Sequence, residues 1–379
     1  MRLIDILYDA FQKSSIQQAP ELGSAEIERS IVALRNWIDD FHPSGHELSD
    51  YPERSLCELA YIEGRLGKTP LSQLHFYITV AFASLSTAFI LTQRTAALRR
   101  IESSKNQNAS EILNRHLCAE QWITVGISHL TTSRQHQAVP AVSARLSAVE
   151  STSPDSNPSW ILNGTIPWVT AAKHSKAIVV GASDEQNPAL QYLFYVPTHQ
   201  AGIDPGSGMH LLALSDSCTD EVQLRDLRVT TEQLLHGPIE NVLSVSQSNG
   251  AGGLQTSALA LGLAACAIDW IYCQTQQRGN LSPFYESLAK QWTSLFEAMN
   301  HLASGTDCRM DAMTLRKDSN TLVLRATQSA LAISKGAGFL AHNSIARWTR
   351  EAMFFLVWSC PQGVAEAHLC EFTQFAPIP

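Results

Sequence analysis

Trp160-Ile-Leu-Asn-Gly-Thr-Ile-Pro-Trp-Val-Thr170 opens the stretch whose reading decides the fold. It begins a zone of short β-rich runs: Lys176 to Ala182, Leu190 to Val196 and Val222 to Val229. Asn163-Gly164, Asp204-Pro205-Gly206 and Gly208 punctuate them as turns do. Asn-Gly between apolar residues is the signature of a tight hairpin, so one is expected at 163–164. The chain on either side is helical in pattern. Before residue 121, Leu3, Leu7, Ala10 and Phe11, then Ile31, Leu34 and Ile38, then Leu56, Leu59 and Ala60 recur at three- and four-residue steps. After Gly252 the spacing returns as Leu288, Trp292, Leu295, Phe296, Met299 and Leu302, followed by an alanine-rich segment from Thr321 to Phe339. Ser257 to Tyr272 is apolar nearly all round and is expected to be buried on several sides. The expected fold is α+β: an N-terminal all-α domain over 1–121, a central antiparallel β-barrel or sandwich over 122–236, and a C-terminal four-helix bundle over 237–379.

Composition narrows the function. The chain has 379 residues, 45% of them hydrophobic and 16% charged, enough to bury a large core. Its 35 acidic and 27 basic side chains leave a net charge of −8 with little attraction for a phosphate backbone, which argues against nucleic-acid binding. Cysteines 57, 118, 218, 266, 273, 308, 360 and 370 form no CxxC and no Cys/His cluster at zinc-finger spacing. They read as reduced thiols of a cytoplasmic protein. Met1-Arg-Leu-Ile-Asp places an acid inside its apolar stretch, so no signal peptide is expected. Phe76 to Leu91, the longest apolar run, is interrupted by Thr79, Ser84, Ser86 and Thr87. It is too short for a bilayer span and reads as one buried helix.

Nucleotide and hydrolase motifs fail on inspection. Gly67-Lys68-Thr69 lacks the upstream glycine of a phosphate loop, with Ile62 in that place. Gly336-Ala-Gly338-Phe-Leu-Ala341 fits a dinucleotide string but follows a helical run and not a strand. There is no Gly-x-Ser-x-Gly and no His-Glu-x-x-His.

Asn163-Gly164, Trp168-Val169-Thr170, Val196-Pro197, Gly202, Leu214-Ser215 and Val222-x-Leu224-x-Asp226-x-x-Val229 occur in an order that resembles the middle domain of the acyl-CoA dehydrogenase flavoproteins. Gly336-Ala-Gly338-Phe339 and Arg350-Glu351-Ala352 look like that family's glycine-rich turn and the Arg-Asp-Ala leading to its active site. The resemblance runs from about residue 75 to 370 and is weakest in the N-terminal third. It implies an FAD-dependent oxidoreductase acting on an acyl-CoA or similar small substrate. It also implies a homodimer or homotetramer, with an electron-transfer partner or O2 as oxidant, and no membrane span.

Within that resemblance, Trp168, Val169 and Thr170 fall where the family's Trp-Ile/Val-Thr strand lies against the flavin. An aromatic wall and hydrogen bonds there exclude water and tune the ring. The same residues have a plainer reading as strand formers. The family loop Thr-Glu-Pro-x-Ala-Gly-Ser-Asp falls on Ile127 to His136, where Ser128, Thr131, Thr132 and Ser133 are candidate donors to the flavin and Arg134 to a phosphate. An ordinary polar loop has the same composition. Arg278-Gly279 matches the family's Arg-x-x-Phe-Gly poorly and reads as a solvated loop arginine.

The catalytic base is where the chain departs. The family's glutamate, in Tyr-Glu-Gly-Thr, corresponds to Ser359 in Trp358-Ser359-Cys360-Pro361, and a serine hydroxyl is too weak a base unassisted. The alternative base position, within Asn249 to Gln255, holds no carboxylate either. Three explanations stand. Glu351, Glu366, His368 or His342 supplies the base; the flavin performs oxygen chemistry, as in the family's monooxygenase branch; or the fold is kept as a silent binding module. Cys360 reads as a buried thiol.

Overall fold

The computed structural model describes residues 2–16, 24–41, 53–66, 69–117, 121–130, 139–147, 158–246, 253–358 and 360–375. Six helices come first: α1 (Leu3–Ile16), α2 (Ser24–Phe41), α3 (Glu53–Leu66), α4 (Pro70–Ala83), α5 (Leu85–Glu102) and α6 (Ala109–Leu117). Eight strands follow: β1 (Ile123–Gly126), β2 (Val142–Leu146), β3 (Ser159–Val169), β4 (Ala177–Asp184), β5 (Leu190–Pro197), β6 (Ile203–Pro205), β7 (Asp220–Thr230) and β8 (Leu234–Glu240). The chain closes with α7 (Gln255–Thr275), α8 (Ser282–Ser304), α9 (Ala312–Ser334), α10 (Ser344–Ala352) and α11 (Gln362–Thr373). It divides into two compact units, one of Met1–Phe89, Leu212–Leu214 and Gly250–Pro379, the other of Ile90–Leu211 and Ser215–Asn249.

In the first unit α7 is the hub, packing on α1, α4, α8, α9 and α10. It is long and apolar enough to cross a membrane, but 83% of its apolar window is buried among these helices. The expected stripe of α8 faces inward, with Trp292 and Met299 fully buried. Trp292 donates Nε1–H to Leu261 O at 2.8 Å and stacks on Phe296 with ring centroids 4.8 Å apart. Asp269 of α7 accepts the backbone N–H groups of Leu3 (2.6 Å) and Ile4 (3.1 Å), satisfying orphan donors at the start of α1. The apolar run 76–91 is two helices and not one. Ser84 adopts an extended conformation (φ −146°, ψ 110°) and its Oγ accepts from Thr87 N at 3.2 Å, capping α5. Thr69, the last residue of the dismissed phosphate-loop string, caps α4 ahead of Pro70.

In the second unit the strands run β6-β7-β3-β2-β4-β5-β8, with β1 beside β4. The sheet is mixed: β1 and β2 both pair with β4 in parallel, while the other pairings are antiparallel as expected. One face buries Leu162, Ile166, Val180, Phe194, Val222 and Leu224. The other packs Val125, Val179, Leu193 and Leu235 against Ala97 and Ile101 of α5 and Ile112 of α6.

The hairpin expected at Asn163-Gly164 does not form. Both residues lie inside β3, at a break of register against β7. Gly164 has φ +131°, and a Cβ there would stand 2.1 Å from Ala141 O, so only glycine fits. The Asn163 amide bridges the bulge by accepting from Asp226 N at 2.8 Å and donating to Asp226 Oδ1 at 3.1 Å.

Candidate functional site

The end of β3 carries the three strand candidates. Val169 is fully buried in the sheet core, so only its backbone is available to a ligand. Trp168 is 47% exposed, an unusual position for a large aromatic ring. Thr170 is buried, and its Oγ1 lies 3.0 Å from Thr219 Oγ1, which in turn lies 2.8 Å from Ser217 Oγ. Ala171 follows in the left-handed region (φ 56°) and donates its N–H to Ser217 O at 3.0 Å. Cys218, between the two partner hydroxyls, is also left-handed (φ 46°). Non-glycine residues held there cost about 1 kcal/mol or more each, and such strain gathers at functional sites.

Ser128 belongs to a turn that packs against β3. Two residues before it, Gly126 ends β1 so near β3 that a Cβ would be 3.0 Å from Ile166 Cδ1 and 3.2 Å from Val169 Cγ2. The 3-10 turn Ser128–Leu130 is pinned to β4 through His129 Nε2 and Gly181 O, 2.9 Å apart. Ser128 itself is half-buried. Thr131, Thr132, Ser133 and Arg134 lie outside the described residues.

The helical unit carries the remaining candidates. After α10 the chain turns through Met353–Leu356, held to α9 by Asn320 Nδ2 donating to Phe355 O and Arg316 Nη2 donating to Trp358 O, both at 2.9 Å. Burial pushes the Arg316 guanidinium down to about 10. Phe354 and Trp358 stack at 5.0 Å, with Phe89 edge-on to both. Ser359 lies outside the described residues, as do residues 249–252 of the second possible base position. Burial pushes the Cys360 thiol up, against the pull of Arg316, so it is not a ready nucleophile.

The proposed substitute bases differ in their surroundings. Glu351 is buried and faces Arg347 at 3.7 Å, an ion pair that holds it as a structural carboxylate. Glu366 is exposed and accepts from Gln362 at 2.7 Å, and His342 is exposed. His368 is buried against Phe372 with no hydrogen bond on either ring nitrogen among the described residues, and desolvation lowers its pKa. Arg278 corrects the loop reading: half-buried, it donates to Ile333 O at 3.2 Å and Gln274 Oε1 at 3.0 Å, joining α7 to the end of α9.

No family model matches the chain. The mouse mitochondrial short-chain specific acyl-CoA dehydrogenase is 25% identical over 232 residues, covering 60% of this chain and 55% of that protein. The chain thus matches about half the length of this curated relative. A glutaryl-CoA dehydrogenase from Mycobacterium smegmatis in complex with FADH2 superposes with TM-score 0.73 at 16% identity, covering 94% of this chain and 97% of that one. Butyryl-CoA dehydrogenase from Megasphaera elsdenii gives the same TM-score and identity, with 97% and 98% covered. The chain is similar to the acyl-CoA dehydrogenase superfamily in sequence and in fold. Its layout of helices, sheet and helices is that superfamily's fold.

A flavin needs an apolar surface against its ring and fixed polar groups at the ring edge. The exposed Trp168 indole and the anchored Thr170 hydroxyl are of those two kinds, so the residues present fit the group. The sequence offered Trp168 and Thr170 as candidates but not Ser217 and Thr219, which the structure places beside Thr170. Their only signal was two hydroxyls at strand spacing, on one face just before β7.

Proposed function

We propose that this chain is an FAD-dependent oxidoreductase of the acyl-CoA dehydrogenase type, acting on an acyl thioester or similar small organic substrate. One observation carries the reading: an exposed indole at the end of β3, next to a buried hydroxyl held in a strained turn. The bound flavin would supply the hydride acceptor. Trp168 would wall off its ring, Thr170 and the Val169 backbone would meet the polar edge, and Ser128, Thr131 and Ser133 are the candidate further donors. Superfamily relatives named as acyl-CoA dehydrogenases support the substrate class.

A second reading, oxygen chemistry on the same fold or a silent flavin or acyl-CoA binder, draws on Glu351. Of the two carboxylates that flank position 359 in sequence, Glu351 is tied to Arg347 and Glu366 is exposed. We further read the protein as a homodimer or homotetramer. The exposed Leu369, Phe372 and Phe375 at the C-terminal helix support association.

The test is the visible spectrum of freshly purified protein, before and after anaerobic addition of saturated acyl-CoAs. A flavin spectrum that bleaches supports the dehydrogenase. A flavin that stays oxidised points to the oxygenase reading or to a silent binder, and protein that neither purifies with FAD nor takes it up refutes the cofactor assignment.

A further inference from the structure

We propose that Thr219, backed by Ser217, donates to the Thr170 hydroxyl and so leaves the Thr170 hydrogen free, so that the end of β3 offers a hydrogen-bond donor. The inference deepens the flavin reading above and rests on it for the identity of the acceptor, the ring nitrogen N5.

The argument is one of counting hydrogens. Each of the three hydroxyls has one hydrogen to give and two lone pairs to receive. Ser217 has no exposed surface, and its Oγ has one hydrogen-bond partner among the described residues, Thr219 Oγ1 at 2.8 Å. A Ser217 hydrogen pointed anywhere else is buried without an acceptor, a costly arrangement. Ser217 therefore donates to Thr219. The Thr219 hydrogen then has one acceptor left among the described residues, Thr170 Oγ1 at 3.0 Å. Donation along Ser217, Thr219 and Thr170 is head to tail, and a hydroxyl that accepts a bond strengthens the one it gives. If Thr219 accepted from both neighbours, its own hydrogen would be stranded. The last hydrogen thus belongs to Thr170, beside the exposed Trp168. The Ala171 N–H bond to Ser217 O and the left-handed Ala171 and Cys218 hold the two segments in this register.

The consequence is chemical. An oxidised flavin carries a bare acceptor at N5 and a reduced one carries N–H. A fixed donor favours the oxidised form, whereas a hydroxyl free to turn can serve either. Thr219 is therefore a positioning residue that holds the potential of the bound flavin down.

Two measurements test this. The first is the midpoint potential of FAD in the intact protein for Thr170→Val, Thr219→Val, Thr219→Ser and Ser217→Ala. Thr170→Val and Thr219→Val are expected to shift the oxidised-to-reduced equilibrium about tenfold toward reduced, about +30 mV for a two-electron couple. Thr219→Ser keeps the hydroxyl and is expected to restore the wild-type value. Ser217→Ala leaves Thr170 as the acceptor for Thr219 and is expected to change little. A Thr219→Val potential equal to wild type, with Thr170→Val shifted, overturns the relay and leaves the flavin reading standing. An unshifted Thr170→Val removes the flavin contact itself.

The second measurement needs no flavin and no variant. Neutron diffraction from deuterated wild-type crystals is expected to place the Ser217 deuterium toward Thr219 and the Thr219 deuterium toward Thr170. The opposite order, or Thr219 accepting from both neighbours, overturns the proposal whatever the cofactor.

Discussion

Replacing Asp269 with Asn isolates one titration built into the helical unit. Asp269 is buried in α7 and accepts the N–H groups of Leu3 and Ile4. Burial is the main influence on its carboxyl and raises it from 3.8 to about 6, against the opposing pull of those two hydrogen bonds. A carboxyl raised in the folded state favours folding when protonated, so its contribution is complete below about pH 4 and is lost as pH rises through about 6. At about 1.4 kcal/mol per decade, that interval is worth about 3 kcal/mol. Asn has no proton to lose, but it offers one acceptor where the carboxyl offers two, leaving one N–H of α1 unpaired at about 1–3 kcal/mol. The expected result in denaturant titrations is a variant less stable than wild type at pH 4, with the gap narrowing by about 3 kcal/mol by pH 7. A gap that stays constant from pH 4 to 7 would refute the reasoning, because Asp269 would then ionise alike in the folded and unfolded chain.

Other outcomes follow from the same structure. Trp168→Ala combined with Thr170→Ala is expected to weaken FAD retention at least about fivefold, at about 0.5–1.5 kcal/mol for each lost contact; unchanged flavin content in the purified double variant would remove the β3 site. Trp292→Ala empties a fully buried, stacked position and is expected to cost about 3–5 kcal/mol in denaturant unfolding; a loss under about 1 kcal/mol would contradict the packing of α7 on α8. His368 faces Arg316, Lys317 and Glu371, and burial lowers its pKa, so the stability it contributes is present above about pH 6.5 and lost as pH falls. His368→Phe is expected to flatten that acid-side loss, and an identical pH profile would show that the imidazole is not protonated on unfolding.

Much of the fold was legible because the signals were local. Leu3, Leu7 and Phe11, or Leu288, Trp292 and Phe296, repeat at helical spacing whatever they pack against, and the same residues prove buried. The strand runs expected at 176–182, 190–196 and 222–229 fall on β4, β5 and β7 and were equally plain, since alternation and β-branching belong to the segment itself. Trp168-Val169-Thr170 stood out through its order relative to other landmarks.

What the sequence determined by itself is the order of helices, strands and helices, and the face each element buries, because periodicity records which side of an element meets water. The tertiary structure decided the partners. Asn163-Gly164 became a bulge because Asp226, 63 residues on, completes the ladder through the Asn163 amide. Arg278 became an anchor because the end of α9 offers it a carbonyl 55 residues away. Glu351 faces Arg347, one helical turn earlier on the buried side of α10. Thr170 gained its relay from Thr219, 49 residues later, where two segments cross. A hydrogen bond needs two groups within about 3 Å, and nothing in the local pattern of either segment records that distance.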